Sequence, residues 1–220
     1  MRGFIHRAAS AAMLLALMVF VAGCLSSRLH KEDFEGRRIA AVAAFPPNPI
    51  IHNDYLAAVG VYPHAPAGRA AFGLAADEED QVRRLQGMLN AATKRLDLAE
   101  YVAREALVIG TERLDATIAK NPDEADYVLD LRVYDYGLHM RSYRSEANFY
   151  LRAELLMRDQ VTNEVLWKKR LDRVGSYKTR LTGAEMAHLT EAALTRELQK
   201  FADFAAERMS SALASRVKNG

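Results

Sequence analysis

Cysteine, the residue type that most often carries special chemistry, is almost absent from this chain of 220 residues. Only Cys24 occurs, and tryptophan is equally rare, with one copy. A single cysteine excludes an internal disulfide and a metal site built from several thiolates. The folded part of the chain must therefore be stabilised by its hydrophobic core.

An excess of charge of one sign is also missing. Of the 30 basic side chains, Arg2 and Arg7 lie in the first 23 residues, so 28 basic and 28 acidic side chains remain after that segment. A polybasic surface for nucleic acid would leave a clear basic excess. We therefore expect no nucleic-acid partner. Half of the residues are hydrophobic and 26% are charged, which is typical of a globular chain.

A long uncharged run occurs only at the N-terminus. Arg2, His6 and Arg7 precede it, and no charge follows from Ala8 to Ser27. This order is typical of a signal peptide. The apolar part ends in Val21-Ala22-Gly23-Cys24, which resembles the lipobox of bacterial lipoproteins. An uncleaved membrane anchor is the alternative, because an uncharged stretch of this length can just span a bilayer.

The lipoprotein resemblance implies a signal peptide over residues 1–23 and a lipid on Cys24. The attached diacylglycerol and amide-linked acyl chain, such as palmitate, would provide the several acyl chains that stable membrane anchoring needs. In lipoproteins the residues after the cysteine influence sorting, and Leu25 and Ser26 lack the aspartate of an inner-membrane retention signal. We therefore expect an outer-membrane protein that faces the periplasm.

The rest of the chain predicts one domain on a short tether. Residues 24–38 are mixed and polar, which is typical of a solvated, lipidated tether. Residues 39–220 are then expected to form a single α+β periplasmic domain. Five of the six prolines fall between Pro46 and Gly73, so residues 46–76 are expected to be a long irregular insertion.

The first half of the domain predicts two strand and helix pairs. The run from Ile39 to Phe45 favours a buried strand, with a helix as the alternative because of its alanines. After the acidic start at Asp77–Asp80, apolar residues recur at helical spacing up to Leu96. The residues 106–109 favour a second strand, parallel to the first, and 111–120 a short helix with Leu114 and Ile118 inward.

The second half predicts an antiparallel meander and a final helix. Apolar residues alternate with polar ones in 126–136 and in 147–158, and a third strand is expected over 165–171. Asn163 fits the left-handed position of the turn between the last two strands. Thr182-Gly183-Ala184-Glu185 matches a capping box in front of a helical apolar stripe that extends to Leu213. The expected fold is a β-α-β-α-β-β-β-α sandwich, a mixed sheet covered by helices.

Three segments in this order resemble a known group of lipoproteins. They are Glu124–Leu129, the alternating strand from Phe149 to Met157, and the turn and strand from Asp159 to Trp167. The pattern resembles periplasmic lipoproteins with an anticodon-binding-domain-like fold, among them curli-export and penicillin-binding-protein-activator lipoproteins and the N-terminal domain of the Tol-system propeller protein. Auxiliary lipoproteins of ABC transport systems are similar. These families act by binding, so the resemblance implies no catalytic residues.

No motif for catalysis, a metal or a cofactor stands out. The histidines do not recur at the three- or four-residue spacing of a metal site, and the common nucleotide and hydrolase motifs are missing. Asp130 and Glu154 could form a carboxylate pair, but their positions beside Arg132 and Arg152 favour ion pairs on a solvated sheet face. We therefore expect no enzyme activity, no cofactor and no metal.

Tyrosines and arginines on the predicted hairpin are the candidate partner-binding residues, because both types are favoured in binding hot spots. They are Arg132, Tyr134, Tyr136, Arg141, Tyr143, Arg144, Tyr150 and Arg152. An ordinary wet sheet face is the alternative. The expected function is a non-enzymatic adaptor of an envelope assembly, export or transport system, bound to the membrane through Cys24 and to an envelope protein through this face. A homo-oligomeric scaffold and a cell-wall or lipid hydrolase are the alternatives.

Overall fold

A six-stranded mixed sheet forms the centre of the computed structural model, which describes residues 29–58 and 73–215, without the side chains of 73–76 and 172–176. The strands are β1 (Arg38–Ala44), β2 (Ile50–Asn53), β3 (Thr117–Ile118), β4 (Tyr127–Met140), β5 (Glu146–Asp159) and β6 (Val165–Thr182). Their order is β3-β1-β4-β5-β6, and β2 pairs with β4 beyond the end of β1. The pairs of β1 with β3 and β4, and of β2 with β4, are parallel, whereas β4, β5 and β6 form the expected antiparallel meander.

Helices cover one face of this sheet. They are α1 (Asp54–Ala58), α2 (Gly73–Leu96), α3 (Leu98–Leu114), α4 (Gly183–Ala187) and α5 (Glu191–Ala214). Both α2 and α3 pack against α5, and α3 lies on β1. The predicted class, an α+β sandwich with a mixed sheet covered by helices, is confirmed. Among the described residues no helix is long and apolar enough to cross a bilayer.

The main hydrophobic core lies between the sheet and the helices. Alternate residues of β4 and β5, such as Leu131 and Phe149, point into it because successive side chains of a strand face opposite sides. The ring of Phe149 stacks on Phe201 of α5 with 5.2 Å between ring centroids. Each large side chain buried in this way contributes roughly 2 kcal/mol, so this layer provides most of the stability.

The segment before β1 belongs to the core, which corrects the expectation of a solvated tether there. The side chains of Leu29 and Phe34 are buried, and Phe34 contacts the ring of Tyr127 edge-on. Two apolar residues among many polar ones gave too weak a pattern to indicate burial. The tether prediction now concerns only 24–28, which lie outside the described residues, as do the signal peptide and Cys24.

The proline-rich stretch contains a strand, so it is not irregular throughout. Ile51 is buried in the core, and β2 extends the parallel edge of β4 that β1 leaves at Ala44. The amide group of the Gln86 side chain accepts a hydrogen bond from the Ile51 N–H at 3.2 Å and donates one to the Pro49 carbonyl at 2.7 Å. This tertiary support explains why four residues between prolines can form a strand. Residues 59–72 of the predicted insertion lie outside the described residues.

The predicted second strand at 106–109 is wrong, because these residues belong to α3. Val102, Ala106 and Leu114 are buried at helical spacing and form part of the apolar face of this helix. The short apolar run is the place where several residues of this helix happen to be apolar in succession. Asp115 ends the helix in a left-handed conformation, with φ +53°. The predicted helix at 111–120 is therefore also wrong, and Ile118, expected to point inward, is 49% exposed in β3.

The meander and its turns largely match their predictions. Asn163 has φ +57°, as expected for the left-handed position between β5 and β6. The third strand continues past the predicted Leu171 to Thr182. The capping box of Thr182 and Glu185 is present, but it begins only the short α4. The expected continuous final helix is interrupted at 188–190, and Thr190 caps α5 with its own side chain.

Candidate functional site

The face of the sheet opposite the helices, called the outer face below, carries half of the predicted binding residues. It is formed by the outward positions of β2, β4, β5 and β6, and its polar residues include His52, Asp130, Arg132, Tyr134, Asp135, His139, Tyr150, Arg152, Glu154, Arg158, Lys168 and Arg170. Among the described helices, only the short 3-10 helix Pro122–Glu124 packs on this side of the sheet, where it contacts β1. Charged side chains and aromatic rings are therefore exposed to solvent side by side on this face.

A β-bulge in β4 determines which tyrosines reach the outer face. Val133 pairs with Ala153 and Asp135 with Arg152, so Tyr134 is an extra residue in the strand. The side chains of Tyr134 and Asp135 consequently both lie on the outer face. The alternation is then shifted by one, and Tyr136 points into the core, where it packs against Phe45.

Asp130 anchors two arginines at one end of the face. Its carboxylate accepts hydrogen bonds from Nε and Nη2 of Arg132 at 3.0 and 2.8 Å, and lies 3.0 Å from Nη2 of Arg158. The hydrogen bond to Asp130 raises the pKa of Arg132. The arginines are thus fixed in position by a carboxylate that lies below them.

Glu154 likewise holds a cation and a tyrosine in position in the middle of the face. Its carboxylate accepts hydrogen bonds from Lys168 Nζ at 2.8 Å and from the Tyr134 hydroxyl at 3.0 Å. The hydrogen bond from Lys168, followed by that from Tyr134, holds the pKa of Glu154 below its ordinary value. The same contact raises the pKa of Tyr134, so this hydroxyl stays protonated and acts as a donor.

Asp135 forms the third cluster, next to β2. It accepts a hydrogen bond from the Tyr150 hydroxyl at 2.8 Å and lies 3.9 Å from Nη1 of Arg152 and 3.7 Å from Nε2 of His52. Burial and the bond to Asp135 raise the pKa of Tyr150 far above its ordinary range. The ring of His52 lies 5.3 Å from that of Tyr150 and closes this corner of the face.

The acidic and basic side chains of the outer face differ sharply in exposure. The carboxyl-bearing side chains of Asp130, Asp135 and Glu154 are 8%, 18% and 10% exposed. Arg132, Arg152 and Lys168, which lie above them, are 47%, 52% and 59% exposed. A ligand would therefore meet guanidinium and ammonium groups together with the 55% exposed ring of Tyr134. Such a surface suits carboxylate or phosphate oxygens beside an apolar contact.

The structure brings together four of the eight predicted binding residues. Arg132, Tyr134, Tyr150 and Arg152 share the outer face. Arg141 and Arg144 are exposed at the β4–β5 tip, beyond the paired part of the hairpin.

The expectation that Tyr136 and Tyr143 belong to this exposed set is wrong. Both rings are buried, and burial raises the pKa of Tyr136 to about 12. Tyr143 lies at the tip with its N–H bonded to Glu78 of α2 at 2.7 Å. Strict alternation placed Tyr136 outward because the bulge at Tyr134 was not anticipated.

Sequence reasoning missed the contributions of His52, Asp135 and Lys168. Lys168 lies in the basic run of the third predicted strand, which could have indicated it. Asp135 lies at an odd position that strict alternation turned inward, and β2, which carries His52, gave no strand pattern. The ion pairs expected around Asp130 and Glu154 do form, but both carboxylates are buried under their partners instead of being solvated.

The described part of the chain contains no group of three histidine, cysteine, aspartate or glutamate side chains that could hold a metal ion. On the outer face each carboxylate already accepts bonds from its neighbours. The chemistry that this arrangement supports directly is recognition by exposed cations.

Comparison with known proteins identifies no family. No protein-family model and no curated protein matches the chain. Structural similarity extends to a PelC dodecamer from Paraburkholderia phytofirmans, at 10% identity and a TM-score of 0.34, over 88% of this chain and 93% of that one. It also extends to a Xanthomonas campestris protein of the family model DUF330, at 11% identity and a TM-score of 0.38, over 83% and 90%. A lipoprotein from Neisseria meningitidis has 17% identity and a TM-score of 0.24, over 74% and 99%. These low scores do not define a shared fold, so function must be inferred from the residues of this chain.

Proposed function

We propose that this protein is a non-enzymatic adaptor that is lipid-anchored to the outer membrane and faces the periplasm, and that its outer face binds an acidic surface of an envelope protein. The observation that carries the proposal is the difference in exposure on that face, where carboxylates are buried and cations point outward. The lipobox-like sequence ending in Cys24 supports the anchoring and the compartment.

The electrostatic basis is a small local excess of positive charge. Arg132, Arg152, Arg158, Lys168 and Arg170 share the face with the three carboxylates, so the cluster keeps an excess of two positive charges even when every ion pair is counted. An acidic partner would meet the cations first, because these are the exposed members of each pair. Complementary charge of this kind increases the association rate and selects among partners.

The ring of Tyr134 adds an apolar contact at the centre of the charged face. Tyr134 is held by its hydroxyl bond to Glu154 while its ring remains exposed. A tyrosine fixed in this way loses little side-chain entropy on binding, which is one reason why tyrosine is favoured in hot spots. We therefore expect Tyr134 to contact the centre of the bound surface, with Arg132 and Arg152 beside it.

The test is capture of partners by the full acylated chain from detergent-solubilised envelopes. The proposal predicts a defined envelope protein with wild type, and at least a tenfold loss of it with the double variant Arg132→Gln/Arg152→Gln. Raising the salt concentration should weaken the wild-type capture as well, because exposed charges are screened.

The matched control is Arg95→Gln/Arg113→Gln, which removes two ion-paired arginines from the helix side, the first exposed and the second half-buried. This variant should capture the partner as well as wild type. Equal losses from both double variants, or a capture insensitive to the outer-face variant, would contradict the proposed surface. Turnover of a cell-wall or lipid substrate by the purified chain would contradict the adaptor role.

A further inference from the structure

One edge of the sheet is left open along most of β1. Strand β3 pairs only with Arg38 and Ile39, and the Ala119 N–H donates to the Ile39 carbonyl at 2.9 Å. After Ala119 the chain no longer pairs with β1 but crosses its outer side, where Pro122–Glu124 contacts β1 and where Ala119 and Ala125 pack against Ala40 and Val128. No described residue pairs with β1 on this side from Ala41 onwards.

The backbone groups at this edge can be identified from the alternation of the strand. The carbonyls of Arg37 and Ile39 accept bonds from the β3 side, whereas the Arg38 carbonyl accepts one from Asp126 on the β4 side. Successive residues of a strand direct their N–H and C=O groups to opposite sides. The N–H and C=O groups of Ala41 and Ala43 therefore point out of the open edge.

The neighbouring edge of β2 is treated differently. There the Gln86 side chain bonds both the Ile51 N–H and the Pro49 carbonyl, as an adjacent strand would. Natural proteins usually cover or block exposed strand edges, because unpaired edges recruit other strands. The Gln86 side chain thus satisfies the backbone groups at the edge of β2. Among the described residues, no side chain does the same at the edge of β1.

A groove runs along the open edge between β1 and α3. It has a volume of about 600 Å³, and Ala41, Ala43, Ala99, Glu100 and Arg104 are among its lining residues. The alanines keep the groove free of bulky side chains, so another strand and helix can approach closely. Glu100 and Arg104 are both exposed, line this groove and lie one helical turn apart on α3. The Arg104 guanidinium also lies 3.4 Å from the Glu105 carboxylate and 5.3 Å from the centre of the Tyr101 ring, and these contacts hold it on the surface of the helix.

We propose that this edge binds a second copy of the same chain, with the two β1 strands paired antiparallel about a two-fold axis at Ala43. Ala43 is the centre of the open stretch from Ala41 to Phe45. The two sheets would join into one, and the two copies of α3 would lie antiparallel beside the axis. A two-fold interface must be complementary to itself, and the charges of α3 meet this requirement.

The charge pairing is reciprocal. If the two-fold axis passes between Glu100 and Arg104, Glu100 of each copy lies opposite Arg104 of the other copy. This follows because the two helices are antiparallel, so their residues run in opposite directions along the interface. The groove has no net charge that would attract a purely acidic or a purely basic partner. Asp97 and Lys120 also line it, and their charges cancel as those of Glu100 and Arg104 do. Charge complementarity therefore favours a second copy over a chain of another kind.

The first experiment measures the mass of the full chain in detergent by light scattering, with the detergent contribution subtracted. Wild type should be a dimer. Ala43→Pro should be a monomer with an unchanged circular dichroism spectrum, because proline at this position removes an N–H that points out of the edge and is not used within the sheet. Ala44→Ser, which changes an exposed side chain of the same strand, should remain a dimer. A monomeric wild type, or a dimer that tolerates Ala43→Pro, would overturn the proposal.

Disulfide trapping tests the register. In a full chain with Cys24→Ser, an added cysteine is the only thiol. Ala43→Cys should form a covalent dimer on mild oxidation, because opposed residues on the axis have Cα atoms about 5.5 Å apart, within the range of a disulfide. Ala41→Cys should cross-link at least tenfold less, because its opposite residue is Phe45. Equal cross-linking at both positions would overturn the two-fold register.

Charge reversal tests the α3 pairing. Glu100→Arg should weaken dimerisation at least tenfold, because it places like charges opposite each other. Adding Arg104→Glu to this variant should restore the dimer, since the reciprocal pairs form again with the signs exchanged. Failure of the second change to restore association would overturn the assignment of a second copy to the groove. These readouts need neither the lipid nor the envelope partner, so they are independent of the proposed function.

Discussion

At the scale of single residues, the outer face depends on three carboxylates, of which Asp130 and Glu154 are buried and Asp135 is half-buried. Asp130, Asp135 and Glu154 lie under longer cationic or aromatic side chains and accept their hydrogen bonds. A buried carboxylate is costly unless such donors surround it. Each one in turn restricts the rotamers of its neighbours, and this holds the cations in place before any partner arrives.

Glu154→Gln should destabilise the protein at neutral pH and remove part of its pH dependence. The folded state lowers the pKa of Glu154 from 4.5, so the ionised carboxylate contributes stability above pH 4.5 that is lost as the pH falls through the lower folded value. We expect a loss of about 1 kcal/mol at pH 7, since the amide replaces a charged acceptor. Urea unfolding at a series of pH values measures this.

The difference between wild type and Glu154→Gln should shrink as the pH is lowered below 4.5. Glu112→Gln, at an exposed position of α3, is the control and should follow wild type at every pH. A constant difference between wild type and Glu154→Gln down to acid pH would contradict the role given to the ionised carboxylate.

At the scale of elements, β4 connects the two halves of the sheet. One edge pairs with β1 and then β2, and the other edge pairs with β5 along nearly its whole length. Gly137 lies where β2 begins to pair, with φ +151°. A Cβ at this position would overlap the carbonyl oxygen of Ile50 and lie 2.6 Å from its nitrogen. Glycine is required there because the two backbones approach so closely.

Gly137→Ala should destabilise the fold by about 3 kcal/mol, because the backbone of β2 has to move and the residue is strained. Thermal unfolding followed by circular dichroism measures the loss. Gly87→Ala is the matched control, since nothing lies within 4 Å of its added methyl and alanine favours the middle of α2 by up to about 1 kcal/mol. The control should unfold at the same or a higher temperature. Equal behaviour of both variants would contradict the close approach.

Local sequence patterns predicted the elements unevenly. The meander was predictable because period-two alternation over many residues has no helical equivalent, and the turn at Asn163 needs only local chemistry. The run at 106–109 was ambiguous, since a few adjacent apolar residues fit a buried strand or a helix equally well. Strand β2 depends on Gln86 and on the edge of β4, which no local pattern contains.

At the scale of the whole molecule, the short connection between Cys24 and the core would set the distance between the body and a membrane that a lipid on Cys24 enters. Only residues 25–28 separate Cys24 from the buried Leu29, and a chain of that length can span at most roughly 17 Å. The segment after Leu29 packs at the start of β1, because Phe34 contacts Tyr127 and Tyr127 pairs with Ile39. The β4–β5 tip with Arg141 lies at the far end of strands about 45 Å long. A lipid on Cys24 would therefore hold the body close to the bilayer with the tip pointing away.

Cys24→Ser should abolish acylation and processing. Wild type should incorporate labelled palmitate and have the mass of a chain that begins at Cys24, whereas the variant should lack the label and retain residues 1–23. Intact mass spectrometry and metabolic labelling of the membrane fraction measure this. Ser26→Ala is the control and should be acylated like wild type. An unlabelled wild type that retains residues 1–23 would instead identify the segment as an uncleaved anchor.

The sequence by itself determined the local features of this protein: the lipobox-like ending at Cys24, the alternation of the meander, the capping box at Thr182 and the turn at Asn163. Each depends on residues adjacent along the chain. The tertiary structure decided which tyrosines are exposed, which carboxylates are buried and which strand edge stays open. A bulge of one residue moved Tyr136 into the core, and the short reach of β3 left Ala41 and Ala43 unpaired. Both depend on how distant strands pair, because the partner of a backbone group is fixed only when the chain folds.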